Sequence, residues 1–139
     1  MRGLDAFRAD LEAEQKGIWS RVGDMEFLIA RIGNDSWKRE YKRMEDLQYG
    51  PARRRSKKLV RDEEYDVDMM LECLAKTCIL DWKNVSLNGK EIKFSVDKCV
   101  EILKDPKYKK LAAHLLDLAG EEDRYLAQEV EEDIESAKN

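Results

Sequence analysis

The chain has 139 residues, 40% of them charged and 42% apolar, with a formal net charge of −4. That length suits one hydrophobic core and would leave two cores each marginal, and a charge content far above the roughly 25% of an average soluble domain points to a helical, soluble chain. No apolar run approaches the ~20 residues needed to cross a bilayer, and MRGLDAFRADLEAEQ is too acidic for a signal peptide, so a cytoplasmic location is expected.

Leu4, Phe7 and Leu11 keep the three-to-four spacing of one helical face, which predicts a short amphipathic helix over 3–15 ending before Gly17. IWSRVGDMEFLIARI, residues 18–32, is rich in aromatic and branched side chains around Gly23-Asp24, a pair suited to a two-residue type II′ turn. A hairpin is expected there. Asn34, Asp35 or Ser36 can cap the next helix, whose inner face would carry Trp37, Tyr41, Met44 and Leu47 and which should stop near Gly50-Pro51. Residues 51–62, PARRRSKKLVRD, are basic and nearly devoid of large apolar groups, so a mobile loop is expected.

Val67, Met70, Leu71, Leu74, Ala75, Cys78 and Ile79 then form a broad apolar stripe at helical spacing, which predicts a core helix from about Glu64 to Leu80. Asn88-Gly89 is a type I′ turn signal, because both central positions need positive φ; Val85-Ser86-Leu87 and Glu91-Ile92-Lys93-Phe94 can pair across it. Ser95 is positioned to cap a short helix bearing Val96, Cys99, Val100 and Leu103, and Asp105-Pro106 repeats the device with a proline at the first helical position. The following helix should bury Tyr108, Leu111, Ala112, Leu115 and Ala119 and end at Gly120. An acidic C-terminal helix over 121–139, with Leu126, Val130 and Ile134 every four residues, completes the expectation. The whole reads as a single domain over 1–139, mainly α, with one or two short β-hairpins; an α+β arrangement is the alternative.

Candidate sites are few. Cys73, Cys78 and Cys99 lie in apolar patterns without metal-ligand spacing and read as buried free thiols. His114 stands alone beside Leu115, and Glu64, Asp68 and Glu72 at four-residue steps read more simply as a solvated helix face than as a cation site. Phosphate-loop, dinucleotide, serine-elbow and EF-hand motifs are all missing from the sequence, so neither enzyme activity nor a metal or other cofactor is expected.

Charge divides the chain. From Lys38 to Arg61 ten bases face only Glu40, Glu45 and Asp46, whereas after Gly120 carboxylates dominate. Arg53, Arg54 and Arg55, with Trp37 and Tyr41 upstream, could serve a nucleic acid, but the chain is acidic overall, so a solvated loop is the preferred reading and nucleic acid is not an expected partner. Trp82 reads as a core plug where helix gives way to hairpin. The C-terminal stripe of Leu126, Val130 and Ile134 is thin enough to complete its burial on another chain, and packing on the preceding helix is an equal alternative.

The succession ILDWKNV, SLNGKEIKFS, VDKCVEILKDP and a final acidic helix resembles the tail assembly chaperones of long-tailed bacteriophages. Asp81-Trp82, Gly89, Phe94-Ser95 and Asp105-Pro106, with IARIGN at 29–34, carry the resemblance; the basic loop lies outside it. The resemblance implies a protein of the infected bacterium's cytoplasm that binds the helical tape measure protein, keeps it soluble, helps bring tail tube subunits to it, and is absent from the finished particle. Homo-oligomerisation stays open. Such proteins are often made in two forms by ribosomal frameshifting; codons GCA-AAA-AAC for Ala137-Lys138-Asn139 would supply a slippery heptamer. A structural particle component is a further alternative.

Overall fold

The computed structural model describes residues 3–55 and 60–126. Its elements are α1 (Leu11–Lys16), β1 (Ile18–Val22), β2 (Met25–Ile29), α2 (Asp35–Arg55), α3 (Glu63–Thr77), β3 (Ile79–Lys83), β4 (Ser86–Leu87), β5 (Lys90–Glu91), α4 (Val96–Lys104) and α5 (Lys109–Gly120), with short 3-10 helices at Gly3–Phe7, Pro106–Tyr108 and Glu122–Tyr125. The fold is mainly α with short antiparallel sheets, as the sequence led one to expect.

Both turn signals act as local chemistry dictates. Gly23 sits at φ 61° between β1 and β2 and Asp24 does not share its positive φ, the signature of a type II′ turn. Asn88 and Gly89 adopt φ 54° and 77°, which closes β4 on β5. The helix caps also fall where expected. Asn34 accepts from the Trp37 backbone N–H at 2.8 Å, and its amide donates to Arg31 O and Thr77 O, so one buried side chain ties the start of α2 to the end of α3. Ser95 accepts from Lys98 N, and Asp105 from Lys107 N, each at 3.0 Å. Helix α5 ends at Gly120.

Four expectations need correction. The core helix stops at Thr77; Ile79–Lys83 is instead the third strand of a sheet ordered β1-β2-β3, antiparallel to β2, with Leu80 as an extra residue between the Leu28–Asp81 and Ile29–Ile79 pairs. An apolar run fits helical and sheet periods alike, and the unpaired edge of β2 decides for strand. The helix face is also rotated: Met69, Cys73 and Leu74 are buried while Val67 is exposed.

Second, α2 passes straight through Gly50-Pro51 to Arg55. Proline inside a helix removes one hydrogen bond and costs about 3 kcal/mol, and here the turn before it is anchored from α3. The Tyr49 hydroxyl donates to Asp66 at 2.7 Å and accepts from Asp62 N at 3.0 Å. Arg61 lies 4.3 Å over the Tyr49 ring and pairs with both Glu45 and Asp66. The expected loop over 51–62 is therefore helical through 55 and fastened at 61–62; residues 56–59 lie outside the described residues. Leu47, expected inside, is exposed.

Third, the N-terminal segment is a 3-10 turn followed by the six-residue α1, and Leu4, Phe7 and Leu11 are 89%, 80% and 71% exposed. Asp10 caps α1, accepting from Ala13 N, and so breaks the continuous helix that the periodicity suggested. Fourth, the start of the expected C-terminal helix is a 3-10 turn leading into an extended Leu126, which bridges to Ala9. Val130, Ile134 and the remainder of that helix lie outside the described residues.

The main core joins Phe27 and Ile29 of β2, Leu74 and Cys78 around the end of α3, Trp82 of β3, and Cys99, Leu103, Leu115 and Ala119 of α4 and α5. A smaller cluster of Met44, Met69 and Cys73 lies between α2 and α3, covered by Trp37, Tyr41 and Tyr65.

Candidate functional site

Trp82 fastens the β4–β5 hairpin to the core, beside the buried Val85 at the hairpin's base. Trp82 is 6% exposed, its indole N–H donates to Ile92 O at 2.8 Å, and its ring meets Phe94 edge-on at 5.0 Å and Phe27 at 6.2 Å. Ile92 N in turn donates to Val85 O at 2.7 Å. The neighbouring Asp81 carboxylate accepts from the Trp82 backbone N–H. This arrangement fixes where the chain emerges from the hairpin, and the Ser95 cap then launches α4 beside it.

A groove of about 450 Å³ opens between that hairpin and the helices it orients. Its floor comes from Met25 at the start of β2, Val85 and Ile92 of the hairpin stem, Ile102 of α4, and Tyr108 and Leu111 at the start of α5. Leu87 lines its upper edge while 45% exposed to solvent. Lys98, Glu101, Asp105 and Lys107 supply the polar rim. Such a volume is ordinary for a binding cleft, and its walls are chiefly aliphatic. The groove offers burial and an electrostatic rim.

The residues singled out from the sequence divide between structural and surface roles. Of the residues that carried the sequence pattern, Asp105 lines the groove; Gly89, Phe94, Ser95 and Pro106 lie in the hairpin turn and the segments that lead into the helices beside it, and Asp81 and Trp82 belong to β3 behind it. Leu126 is half-buried at the opposite end of the sheet, where it shares a shallower depression of about 330 Å³ with Phe7, Arg31 and Ile32. Tyr125 before it is 1% exposed and donates to Ile29 O at 2.9 Å. Arg31 reaches Ile32 O, Ala119 O and Glu122, pinning the same corner. Arg53, Arg54 and Arg55 sit in the last turn of α2, and Arg54 is exposed. Trp37 and Tyr41 stack on each other at 5.9 Å but face Met44 and Cys73, so they act as core and are not a free platform for bases.

The three cysteines are buried and free, and burial pushes the thiols of Cys78 and Cys99 up to about 12 and that of Cys73 to about 11. His114 is exposed on α5. Among the described residues no group of three or more His, Cys, Asp or Glu is placed to hold a metal ion, and no helix is long and apolar enough to cross a membrane.

Sequence reading identified every framing element of this groove without identifying the groove. Met25, Ile102 and Leu111 come from three separated segments, and only the packing of β2, α4 and α5 around the hairpin stem brings them together. The available local signal was Leu87, an apolar residue beside a polar turn with no core partner.

The chain is thus a small mainly-α domain that carries, among its described residues, an apolar groove framed by a β-hairpin, α4 and α5. The YdaY prophage protein family model matches residues 32–136, from the end of the first hairpin through the groove-forming half, and the chain belongs to that family. It is thus a bacteriophage or prophage protein. No curated protein and no solved structure matches it.

Proposed function

We propose that this chain is a phage tail assembly chaperone that binds the tape measure protein and helps recruit tail tube subunits during tail morphogenesis. Membership of a prophage protein family supports the phage setting. The observation that carries the reading is the groove between the β4–β5 hairpin, α4 and α5: an open apolar channel with a charged rim is what an amphipathic helix needs to bury one face. A tape measure protein is long and helical, and its exposed apolar stripes need cover before the tube encloses them.

Co-expression of the full chain with the tape measure protein encoded nearby, followed by gel filtration, tests this. The expected result is a soluble tape measure protein eluting together with the chain. A tape measure protein that stays insoluble, or elutes apart, overturns the proposal.

One observation favours a second reading. Because α2 does not break at Pro51, exposed Lys38, Arg39, Lys42 and Arg54 share one helix about 30 Å long, at 1.5 Å per residue. A nucleic-acid-binding regulator would use that face, and its affinity for DNA or RNA would fall steeply with salt. Glu40 pairs with Arg43 on the same helix and with Lys76 of α3 and dilutes the positive field, which leaves this reading second.

A further inference from the structure

We infer that the outer edge of β1 is a site of strand addition and that its occupant is a second copy of this chain, paired antiparallel about a two-fold axis at Ser20. β1 is an outer strand of the three-stranded sheet and meets β2 in an unbroken register, from Val22 against Met25 beside the turn to Ile18 against Ile29 at the far end. In a ladder closed by a two-residue turn the pair flanking the turn is hydrogen-bonded, and bonded pairs alternate with non-bonded ones from there. Val22, Ser20 and Ile18 therefore direct their backbone groups to β2, and Trp19 and Arg21 direct theirs outward. Among the described residues no other backbone group bonds those of Trp19 and Arg21.

The other outer strand is guarded. β3 carries the bulge at Leu80 and ends in Lys83, two devices that keep a sheet edge from pairing, and the Asp81 carboxylate already takes the Trp82 N–H. β1, IWSRV, has no bulge, no proline and no lysine.

Symmetry selects the occupant. Two antiparallel β1 strands with Ser20 opposite Ser20 set Trp19 of each copy against Arg21 of the other, and Ile18 against Val22. Trp19 and Arg21 are then the bonded pairs, so one register satisfies every outward group of both copies. The side chains match in the same register. Trp19 is 40% exposed although Lys83 Nζ lies 4.2 Å over its ring, and Arg21 is exposed, opposite Glu26 on β2 without an ion pair to it. The pairing brings a guanidinium beside an indole twice, once on each side of the axis. On the other face the half-buried Ile18 and Val22 meet apolar to apolar. The product is a continuous sheet ordered β3-β2-β1-β1-β2-β3 with an isologous seam. Five residues from each chain form that seam, which places it at the small, transient end of interfaces.

Sedimentation velocity of the full chain from about 1 μM to about 1 mM, the range of weak complexes, should show monomer giving way to dimer. Over the same range amide hydrogen exchange at Trp19 and Arg21 should slow at least about tenfold, with the amides of α3 unchanged. Arg21→Pro removes an outward N–H and spares the bonds to β2, so it should keep the chain monomeric with its far-UV circular dichroism retained. Trp19→Arg sets guanidinium against guanidinium and should weaken the dimer at least about tenfold at low salt and less at high salt; it serves as the second variant if the proline prevents folding. A chain still monomeric at the highest concentration, a dimer whose Trp19 and Arg21 amides gain no protection, or a dimer left intact by both substitutions overturns the inference. Dimerisation that appears only after removal of residues 127–139 assigns the edge to the chain's own C-terminal segment and overturns it too. Co-elution with the tape measure protein is read separately, so neither proposal depends on the other.

Discussion

Replacing Trp82 with Phe separates the indole hydrogen bond from the rest of the aromatic plug. The phenyl ring keeps an edge-on partner in Phe94, so most of the aromatic contact survives, but Ile92 O loses its donor at 2.8 Å. A hydrogen bond in a partly buried setting is worth about 1 kcal/mol net. Shrinking a side chain that is only 6% exposed removes on the order of 40 Å² of buried apolar surface, about 1 kcal/mol at 25 cal/mol per Å². The sum is about 2 kcal/mol. For a domain of this length, at roughly 3–5 °C per kcal/mol, Tm should fall by roughly 6–10 °C. Urea unfolding followed by far-UV circular dichroism gives the free energy, and amide hydrogen exchange locates it: the Ile92 N–H bonded to Val85 O should exchange faster, while amides of α3 should change only with global stability. A loss under about 0.5 kcal/mol, or one spread evenly with Ile92 still protected, would refute the view that Trp82 is what clasps the hairpin to the core.

Other perturbations probe separate links. Gly17 has φ 85°, and an added Cβ would lie 3.1 Å from Ile29 C and Leu28 Cγ; Gly17→Ala should therefore destabilise by about 2 kcal/mol or more, read as a drop in the urea midpoint without change in slope. The Asp66 carboxyl is held below the ordinary carboxylate range by hydrogen bonds from Arg61 and then Tyr49. Its contribution is fully present above the unfolded value near 3.8 and is lost as pH falls through the lower folded value, so Asp66→Asn should flatten that acid limb of the stability curve. The Tyr125 hydroxyl is pushed up to about 12, chiefly by burial, from an ordinary value of 10.0. Stability should thus fall between pH 10 and 12 as the unfolded chain ionises first, and Tyr125→Phe should remove that part of the alkaline slope at the cost of the bond to Ile29 O. Cys73, Cys78 and Cys99 should resist a thiol reagent in native buffer and all react in denaturant; rapid native labelling of Cys78 or Cys99 would contradict their burial.

What the sequence disclosed about the fold sorts by the range of the interaction concerned. Gly23, Asn88, Gly89, Asn34, Ser95 and Asp105 each act within three residues of themselves, and every turn and cap they imply is present. Ile79 and Leu80 mislead because their environment is set by β2, far away in the chain, and not by the α3 pattern they continue. Pro51 misleads for the same reason: its penalty is local, but the Tyr49, Arg61 and Asp66 contacts that outweigh it bridge two helices. Leu4, Phe7 and Leu11 show the converse, a correct spacing that meets no opposing surface among the described residues. The candidate groove failed to show for a related reason, since periodicity reports one element's face and never the gap between three.

The β1-β2-β3 order has a consequence for how the chain is made. β2 finds its second neighbour only when residues about fifty positions downstream have left the ribosome. At 5–20 residues per second that is a wait of roughly 3–10 s, during which the N-terminal hairpin stands with Phe27 and Ile29 uncovered and one backbone edge unpaired. α2 and α3 emerge within that interval, so the helical pair is synthesised before the strand that closes the sheet. Translation speed between residues 30 and 80 is thereby a determinant of yield, and synonymous codons that slow this interval should lower the soluble fraction without altering a single side chain.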